Sequence, residues 1–478
     1  MDDLVLPMVT SKSLVKWKPP QVNPSDIAIV YFTSGSTGKP KAVPQRHESI
    51  VNCILGSCNF LKLSKNCRCL QALNIGFDAS LLMLFIPLSI GGTLVLPGED
   101  IMKGFSKTDT WLVTPSMLQA VGGPEQYSCP KTIVVGGEPL SYTLAKKWSQ
   151  AYNGQLRLIN NYGPTETTIA SHIEEVDLTL GSRVISIGRT IPNVQCYILD
   201  GALHLVPIGV IGEICIGGIG VCHGYLYDEQ RSQDLFVANP YGPGLIYRTG
   251  DLGCWLPDGR VYCVGRKDDQ VKIRGFRVEL GEIEQVIRSQ SATSNLENAC
   301  VAYDRSNDAL VGYVTPSNID CELVLSALSS QLPSYMVPDH IIPVDKLPLT
   351  TNGKVDRQAL LTNHPPGRVQ SGQTSPSSLT TPTQQRLIAI LCELFNLKQG
   401  EIRPLHDTFF TLGGNSISAM YFVSRCKANG IPLAMADINR RTTVAALAKC
   451  ASEGAGEDNM NSISTECTHG PFSLTPVQ

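Results

Sequence analysis

The sequence predicts an α/β multidomain chain that ends in a small all-helical unit, and three observations lead there. Short β-rich runs alternate with helical stretches over the first 360 residues. A polar Ser/Thr/Pro/Gly segment, Leu361 to Thr381, then breaks the pattern. Helical periodicity alone follows it. At 478 residues the length fits roughly three domains.

The β-rich runs are Ile27–Phe32, Thr93–Leu96, Thr132–Val135, Ile214–Ile216 and Gln270–Ile273, each ending in a turn rich in Gly or Pro. In α/β enzymes such strand-end loops hold the ligand. The 42 glycines, many paired, suit loops where backbone must come close to one. The segment Leu361–Thr381 has no apolar period and reads as a tether. Beyond it, Leu387, Ile390, Leu391, Leu394 and Phe395 form one helical face entered through Pro382. A second helix is expected from Ser416, after Gly413-Gly414. A third is expected near Thr442, carrying Val444, Leu447 and Ala448. A polar stretch, Glu453–Gly470, precedes a last apolar fragment, residues 471–478.

Composition removes several classes of function. Hydrophobic residues make up 42% and charged residues 17%, a globular balance. A net charge of −3 offers no field for nucleic acid or anionic lipid, so neither is expected as a partner. The longest apolar stretch, Leu81–Leu96, is broken by Pro87 and Gly91-Gly92, and no transmembrane helix is expected. The acidic start lacks a secretory pattern. The 16 cysteines are scattered without paired CxxC spacing, which predicts reduced thiols, no zinc site and a cytoplasmic location.

The densest chemical signal is Tyr31-Phe-Thr-Ser-Gly-Ser-Thr-Gly-Lys-Pro-Lys41, directly after an apolar strand. Hydroxyls of Thr33, Ser34, Ser36 and Thr37, glycines Gly35 and Gly38, and Lys39 suit a loop wrapped around a polyphosphate. It is not the GxxxxGK[ST] loop: only two residues separate Gly35 from Gly38, and Pro40 follows Lys39.

This string resembles the phosphate-binding signature of the adenylate-forming superfamily, in particular the adenylation domains of nonribosomal peptide synthetases. The resemblance continues in order through Phe77-Asp-Ala-Ser80, Asn161-Tyr-Gly-Pro-Thr-Glu166, Gly212-Glu-Ile-Cys-Ile-Gly-Gly218 and Tyr247-Arg-Thr-Gly-Asp251. It extends through Gly265-Arg-Lys-Asp-Asp-Gln-Val-Lys-Ile-Arg-Gly275, Leu332-Pro-Ser-Tyr-Met-Val-Pro338 and Asn352-Gly-Lys-Val-Asp-Arg357. Leu412-Gly-Gly-Asn-Ser416 resembles the attachment motif of a peptidyl carrier domain. The implied division is a large subdomain 1–267, a small α+β subdomain 268–360, a linker 361–380, a four-helix carrier domain 381–453, a second linker 454–470 and the opening of a condensation-type domain 471–478.

The implied reaction joins an amino-acid carboxylate to the α-phosphate of ATP, then passes the acyl group to a thiol. Two anions meet in the first half, so neutralisation and positioning carry the catalysis. By resemblance, Lys354 bridges the carboxylate and α-phosphate, Thr165 contacts the phosphate, and Glu166 holds Mg²⁺. Tyr162 stacks on adenine beside Gly137 and Glu138, Asp251 accepts the ribose hydroxyls, and Arg266 reaches the nucleotide. Asp268 is the hinge about which the small subdomain rotates, bringing the Gly275 loop in with Lys272 and Arg274 nearby.

Asp78 pairs with the substrate ammonium in amino-acid-activating relatives, although an Asp here also suits a helix cap. The rest of the implied pocket is Ala79, Leu82, Leu112, Val134, Gly136, Asn161, Ile169 and Ala170, mostly aliphatic, which favours an apolar amino acid. By its resemblance to the carrier motif, Ser416 is expected to carry the 4′-phosphopantetheine arm, and a helix start favours the added phosphate. A phosphopantetheinyl transferase and neighbouring condensation-type domains follow as partners.

The sequence departs from the family pattern at its start. Family members carry a long stretch before the phosphate loop, and an N-terminally truncated adenylation domain is therefore expected. An acyl- or aryl-CoA ligase and a non-catalytic carrier remnant are the competing readings. Asp78 with the attached carrier speaks against the first, and intact Lys354 and Glu166 speak against the second.

Overall fold

The computed structural model describes residues 21–453 apart from short segments, among them 35–39, 274–275, 350–354, 366–380 and 413–415. Strands β1 (Ile27–Thr33) and β2 (Lys41–Arg46) pair antiparallel with Thr33 opposite Lys41, which sets the two ends of the phosphate-loop segment side by side.

The next elements are α1 (His47–Leu61), β3 (Arg68–Leu70), α2 (Ser80–Ile90), β4 (Thr93–Val95), α3 (Ile101–Ser106), β5 (Thr110–Val113) and α4 (Pro115–Ala120). They continue with β6 (Thr132–Gly136), α5 (Tyr142–Ser149), β7 (Arg157–Tyr162), β8 (His172–Glu175) and β9 (Arg189–Thr190). Their strands form one sheet in the order β4-β3-β5-β6-β7-β8-β9, parallel as far as β7 and antiparallel after it. Every residue of β5 and β6 is buried, as expected where helices cover both faces of a parallel sheet. Helix α4 starts cleanly because Thr114 Oγ1 accepts from Met117 N at 3.2 Å and Pro115 sits at the first turn. The apolar stretch Leu81–Leu96 resolves into most of α2, a left-handed Gly91 at φ 77° and β4. Among the described residues no helix is long and apolar enough to cross a membrane.

A second, antiparallel sheet holds β10 (Val194–Leu199), β11 (Gly212–Gly218), β12 (Phe236–Ala238), β13 (Leu245–Trp255) and β14 (Val261–Arg266), with helix α6 (Glu229–Leu235) before β12. Its register places Asp251 opposite Arg266.

After Asp268 comes the hairpin β15 (Gln270–Ile273) and β16 (Phe276–Glu279). It leads into α7 (Leu280–Ser289), β17 (Asn298–Asp304), β18 (Ala309–Thr315), α8 (Cys321–Gln331), β19 (His340–Pro343) and α9 (Arg357–Asn363). This α+β unit has its own core, built on Ile283, Val301, Val314 and Leu328.

Among the described residues three helices follow: α10 (Pro382–Phe395), α11 (Ser416–Ala428) and α12 (Val444–Glu453). They share a separate core of Leu387, Leu391, Phe409, Phe422 and Leu447. Helix α12 starts past Thr442 because Thr443 caps it, accepting from Ala446 N at 3.3 Å. Helix α11 packs on α3 and α4, so this unit rests on the first sheet's helical cover.

Candidate functional site

Two cavities meet at the carboxyl ends of β6 and β7. The smaller, about 80 Å³, is walled by Asp78, Ala79, Leu112, Gly136, Asn161 and Ile169 together with Thr33, Ser34 and Thr165. Sheet register explains the grouping, since Leu112 lies beside Val134 on β6 and Gly136 beside Asn161 on β7. Three further expected pocket residues, Leu82, Val134 and Ala170, are buried in the same apolar core as Ala79, Leu112 and Ile169 but are not on the wall of this cavity. A side chain at Gly136 would stand 2.8 Å from the Asn161 carbonyl, so glycine is needed for the strands to pack here.

Asp78 is 4% exposed and lies just before α2. No side chain caps that helix, so Asp78 is not there as a cap. Gln45 Nε2 stands 3.5 Å from its Oδ2, and the same amide donates to the Thr165 carbonyl at 3.1 Å. Among the described residues no cation pairs with it. Burial pushes the Asp78 carboxyl up to about 6, the Glu166 charge adds to this, and hydrogen bonds from Thr165 and Ala79 oppose it.

The larger cavity, about 1050 Å³, brings together Gly137, Glu138, Tyr162, Asp251 and Arg266, the residues expected around a nucleotide. Glu138 Oε2 accepts from Ser116 Oγ at 2.6 Å and from Ser116 N at 3.0 Å. Tyr162 donates to Asp251 Oδ2 at 2.6 Å, and Lys272 Nζ sits 5.4 Å from its ring centre. Arg266 Nη1 stands 2.9 Å from Asp251 Oδ1, while its Nε and Nη2 hold Asp268 at 2.6 and 2.7 Å. Helices α10 and α11 complete the wall through Leu394 and Tyr421.

Glu166 is fully buried. Arg277 Nη1 lies 2.9 and 3.1 Å from its two oxygens, and Tyr225 donates to Oε1 at 2.7 Å. Burial alone raises a carboxyl, but the charges of Arg277 and Lys41 and the Tyr225 hydrogen bond hold Glu166 down to about 2. The donor chemistry fits Mg²⁺, since an ionised carboxylate is a hard oxygen ligand. With Arg277 in place, however, a cation already stands against both oxygens.

Several expected residues fall outside the described ones: Gly35, Ser36, Thr37, Gly38, Lys39 and Lys354, with Arg274 and Gly275 of the hairpin turn. Residues 454–478 do as well. Ser416 opens α11, but its side chain is not described.

The sequence reading missed Gln45, Tyr225, Arg277 and Glu279, and had Lys41 only as the last residue of the phosphate-loop string. Lys41 Nζ reaches Glu279 Oε1 at 3.1 Å, and Ser34 Oγ donates to the Arg277 carbonyl. The available signal was Arg277-Val-Glu279, two opposite charges two apart and therefore on one strand face.

Comparison with known proteins agrees with this layout. The family model for the AMP-binding enzyme matches residues 5–226, that for the AMP-binding enzyme C-terminal domain residues 282–354, and that for the phosphopantetheine attachment site residues 385–451. Tyrocidine synthase 3 of Brevibacillus parabrevis is 36% identical over 454 residues, covering 91% of this chain and 7% of its own length. Nonribosomal peptide synthetase 5 of Aspergillus fumigatus is 39% identical over 398 residues, covering 82% of this chain and 17% of its own. The chain thus spans a small part of these curated relatives.

Among solved structures, a synthetase protein with adenylation and carrier domains, in holo form with a vinylsulfonamide inhibitor, matches at TM-score 0.74 and 28% identity. The match covers 94% of this chain and 76% of that one. The Vibrio cholerae adenylation domain AlmE, in complex with glycyl-adenosine-5′-phosphate, matches at 0.64 and 27%, covering 71% and 67%.

Proposed function

This chain belongs to the AMP-binding enzymes of nonribosomal peptide synthesis, an adenylation domain followed by a carrier domain, and from that premise we propose that it activates an amino acid with ATP and loads it on its own carrier. One observation supports this reading above the others: a buried carboxylate, Asp78, on the wall of a small cavity, with no ion pair to it among the described residues. Such a group is costly to leave unmatched, and a substrate ammonium is the partner it lacks. An acyl- or aryl-CoA ligase has no use for it.

In this reading the carboxylate of the amino acid attacks the α-phosphorus of ATP and pyrophosphate leaves. Asp78 fixes the ammonium, Thr165 and Lys354 meet the α-phosphate, and residues 33–39 wrap the polyphosphate. Tyr162, Gly137, Glu138, Asp251 and Arg266 hold the nucleoside. Glu166 would hold Mg²⁺, and the bound ion would supply charge neutralisation to the phosphates. Ser416 would carry phosphopantetheine, which would supply the thiol for acyl transfer. The product resembles the glycyl-adenylate bound by AlmE.

The boundaries at 268, 361 and 381, the hinge role of Asp268, a phosphopantetheinyl transferase and condensation-type neighbours as partners, and a cytoplasmic location belong to the same proposal. Amino-acid-dependent exchange of pyrophosphate into ATP tests it. Exchange with one amino acid supports the reading. Exchange with aryl acids alone, together with discharge onto free CoA, overturns it.

A further inference from the structure

We infer that Glu213 is a positioning residue for the nucleotide sugar: it holds the kink in β13 from which Asp251 meets the ribose hydroxyls, and so sets a preference for sugars that carry them. This rests on the reading that Asp251 accepts those hydroxyls. Glu213 itself is not on the wall of either cavity.

Strand β13 does not run evenly beside β11. Glu213 lies opposite Leu252 but Cys215 lies opposite Arg248, so Thr249, Gly250 and Asp251 together face Ile214 alone. A bulge of this kind bends its strand and re-aims a side chain. It also takes backbone groups out of the ladder, and when buried these need other partners. Thr249 Oγ1 donates to the Ile214 carbonyl at 2.7 Å and accepts from Asp251 N at 2.9 Å. Glu213 Oε1 accepts from Gly250 N at 3.1 Å, and the Gly250 carbonyl accepts from Lys267 N at 3.0 Å. Lys267 Nζ then returns to Glu213 Oε1 at 2.7 Å, which closes a ring of contacts around Gly250. Gly250 itself sits at φ 76°, a left-handed value that glycine adopts without strain.

A buried carboxylate is a costly way to fill this place unless its charge is matched. Arg248 on Oε2 at 2.9 Å and Lys267 on Oε1 match it. An apolar side chain would fill the same space and leave the Gly250 N–H without its acceptor; an ionised one makes that bond a strong one. The outcome is a fixed Asp251 on the wall of both cavities. Its two oxygens take Tyr162 at 2.6 Å and Arg266 at 2.9 Å, and each keeps a lone pair for a sugar hydroxyl.

The test is a titration of the full chain with AMP and with 2′,3′-dideoxy-AMP, read as thermal stabilisation, which needs no turnover. The wild type is expected to half-saturate with AMP at a concentration at least about tenfold lower, the usual size of a charge-assisted hydrogen bond. Glu213→Ala is expected to raise the AMP half-point about tenfold and to leave that of the dideoxy form where it was. Glu213→Gln keeps an acceptor for Gly250 N and loses the cations, and it is expected to retain part of the preference. Should Glu213→Ala fail to fold, the narrowed preference of Glu213→Gln carries the test. A lost contribution to stability alone would lower the melting temperature, or weaken both nucleotides equally, and leave the ratio as in the wild type. That unchanged ratio in the folded variants overturns the proposal. A wild type that answers both nucleotides alike, or neither, overturns it together with the ribose role of Asp251. Failure of every amino acid in exchange, with the sugar preference behaving as expected, sinks only the adenylation reading.

Discussion

Asp251 and Asp268 are joined through one guanidinium: Arg266 lies 2.9 Å from the first and 2.6 Å from the second. The residue expected to hold the ribose and the residue expected to act as hinge therefore share a cation. Arg266 suits this place because its planar fork serves two carboxylates at once, which a lysine cannot copy.

Arg266→Ala is accordingly expected to affect both half-reactions. Loss of the fork leaves Asp251 with Tyr162 alone and frees Asp268. Half-saturating ATP in exchange is expected to rise about tenfold, the usual cost of one charge-assisted hydrogen bond. Carrier loading, measured separately in single turnover, is expected to slow as well, and Arg266→Lys to recover little of either. A variant with altered ATP affinity but normal loading would separate Arg266 from the hinge.

Asp78 sets function against stability. Its carboxyl titrates near 6 in the fold against 3.8 ordinarily, so the folded chain holds a proton that the unfolded chain releases between those values. Stability from this group thus falls as pH rises from about 4 to 6, and it stays low at neutral pH. Asp78→Asn removes the effect and is expected to stabilise the substrate-free chain by on the order of 3 kcal/mol at pH 7.5, while abolishing exchange. For the wild type, half-saturating amino acid is expected to climb about tenfold per pH unit below 6, because only the ionised form pairs with ammonium. Urea denaturation at two pH values and exchange across pH check both limbs.

Glu166 has the opposite sign. Its folded value near 2 lies below the ordinary 4.5, so its stabilisation is complete above pH 4.5 and is lost as pH falls towards 2. Glu166→Ala is expected to cost roughly 3–5 kcal/mol at neutral pH, since it strands Arg277 in a buried position. It is also expected to flatten the acid limb of the melting curve. A variant as stable as wild type at pH 7 would show that the pair carries little stability of its own.

The repeated elements were legible because each has a local cause. β5 and β6 are continuous apolar runs, and α10 follows its i, i+3, i+4 face and buries Leu387 and Leu391 as that face requires. Most pocket residues were legible through motif resemblance. Leu82, Val134 and Ala170 share the apolar core with the wall residues Ala79, Leu112 and Ile169, and which of these neighbours reaches the cavity depends on packing that motif order does not encode. Arg277 stayed hidden for a related reason. Its partner Glu166 lies 111 positions away, on the other side of the expected hinge, and charge alone in Phe-Arg-Val-Glu reads as a solvated strand face. Only the docked hairpin reveals the pairing.

Lys354 and Ser416 separate the two half-reactions most cleanly. If Lys354 bridges carboxylate and α-phosphate, it acts where charge develops, and removing such a group usually costs about a hundredfold or more. Lys354→Ala is expected to lose exchange to that extent and to keep the Mg²⁺–ATP thermal shift. Ser416→Ala removes an attachment point and no charge from the adenylating cavity, so exchange is expected at the wild-type rate with no amino acid bound to the chain. Exchange and radiolabel retention on each variant decide both roles. Normal exchange in Lys354→Ala would move the bridging role to another cation, and Lys272, 5.4 Å from the Tyr162 ring, is the first to examine. Label retained by Ser416→Ala would move the thiol elsewhere.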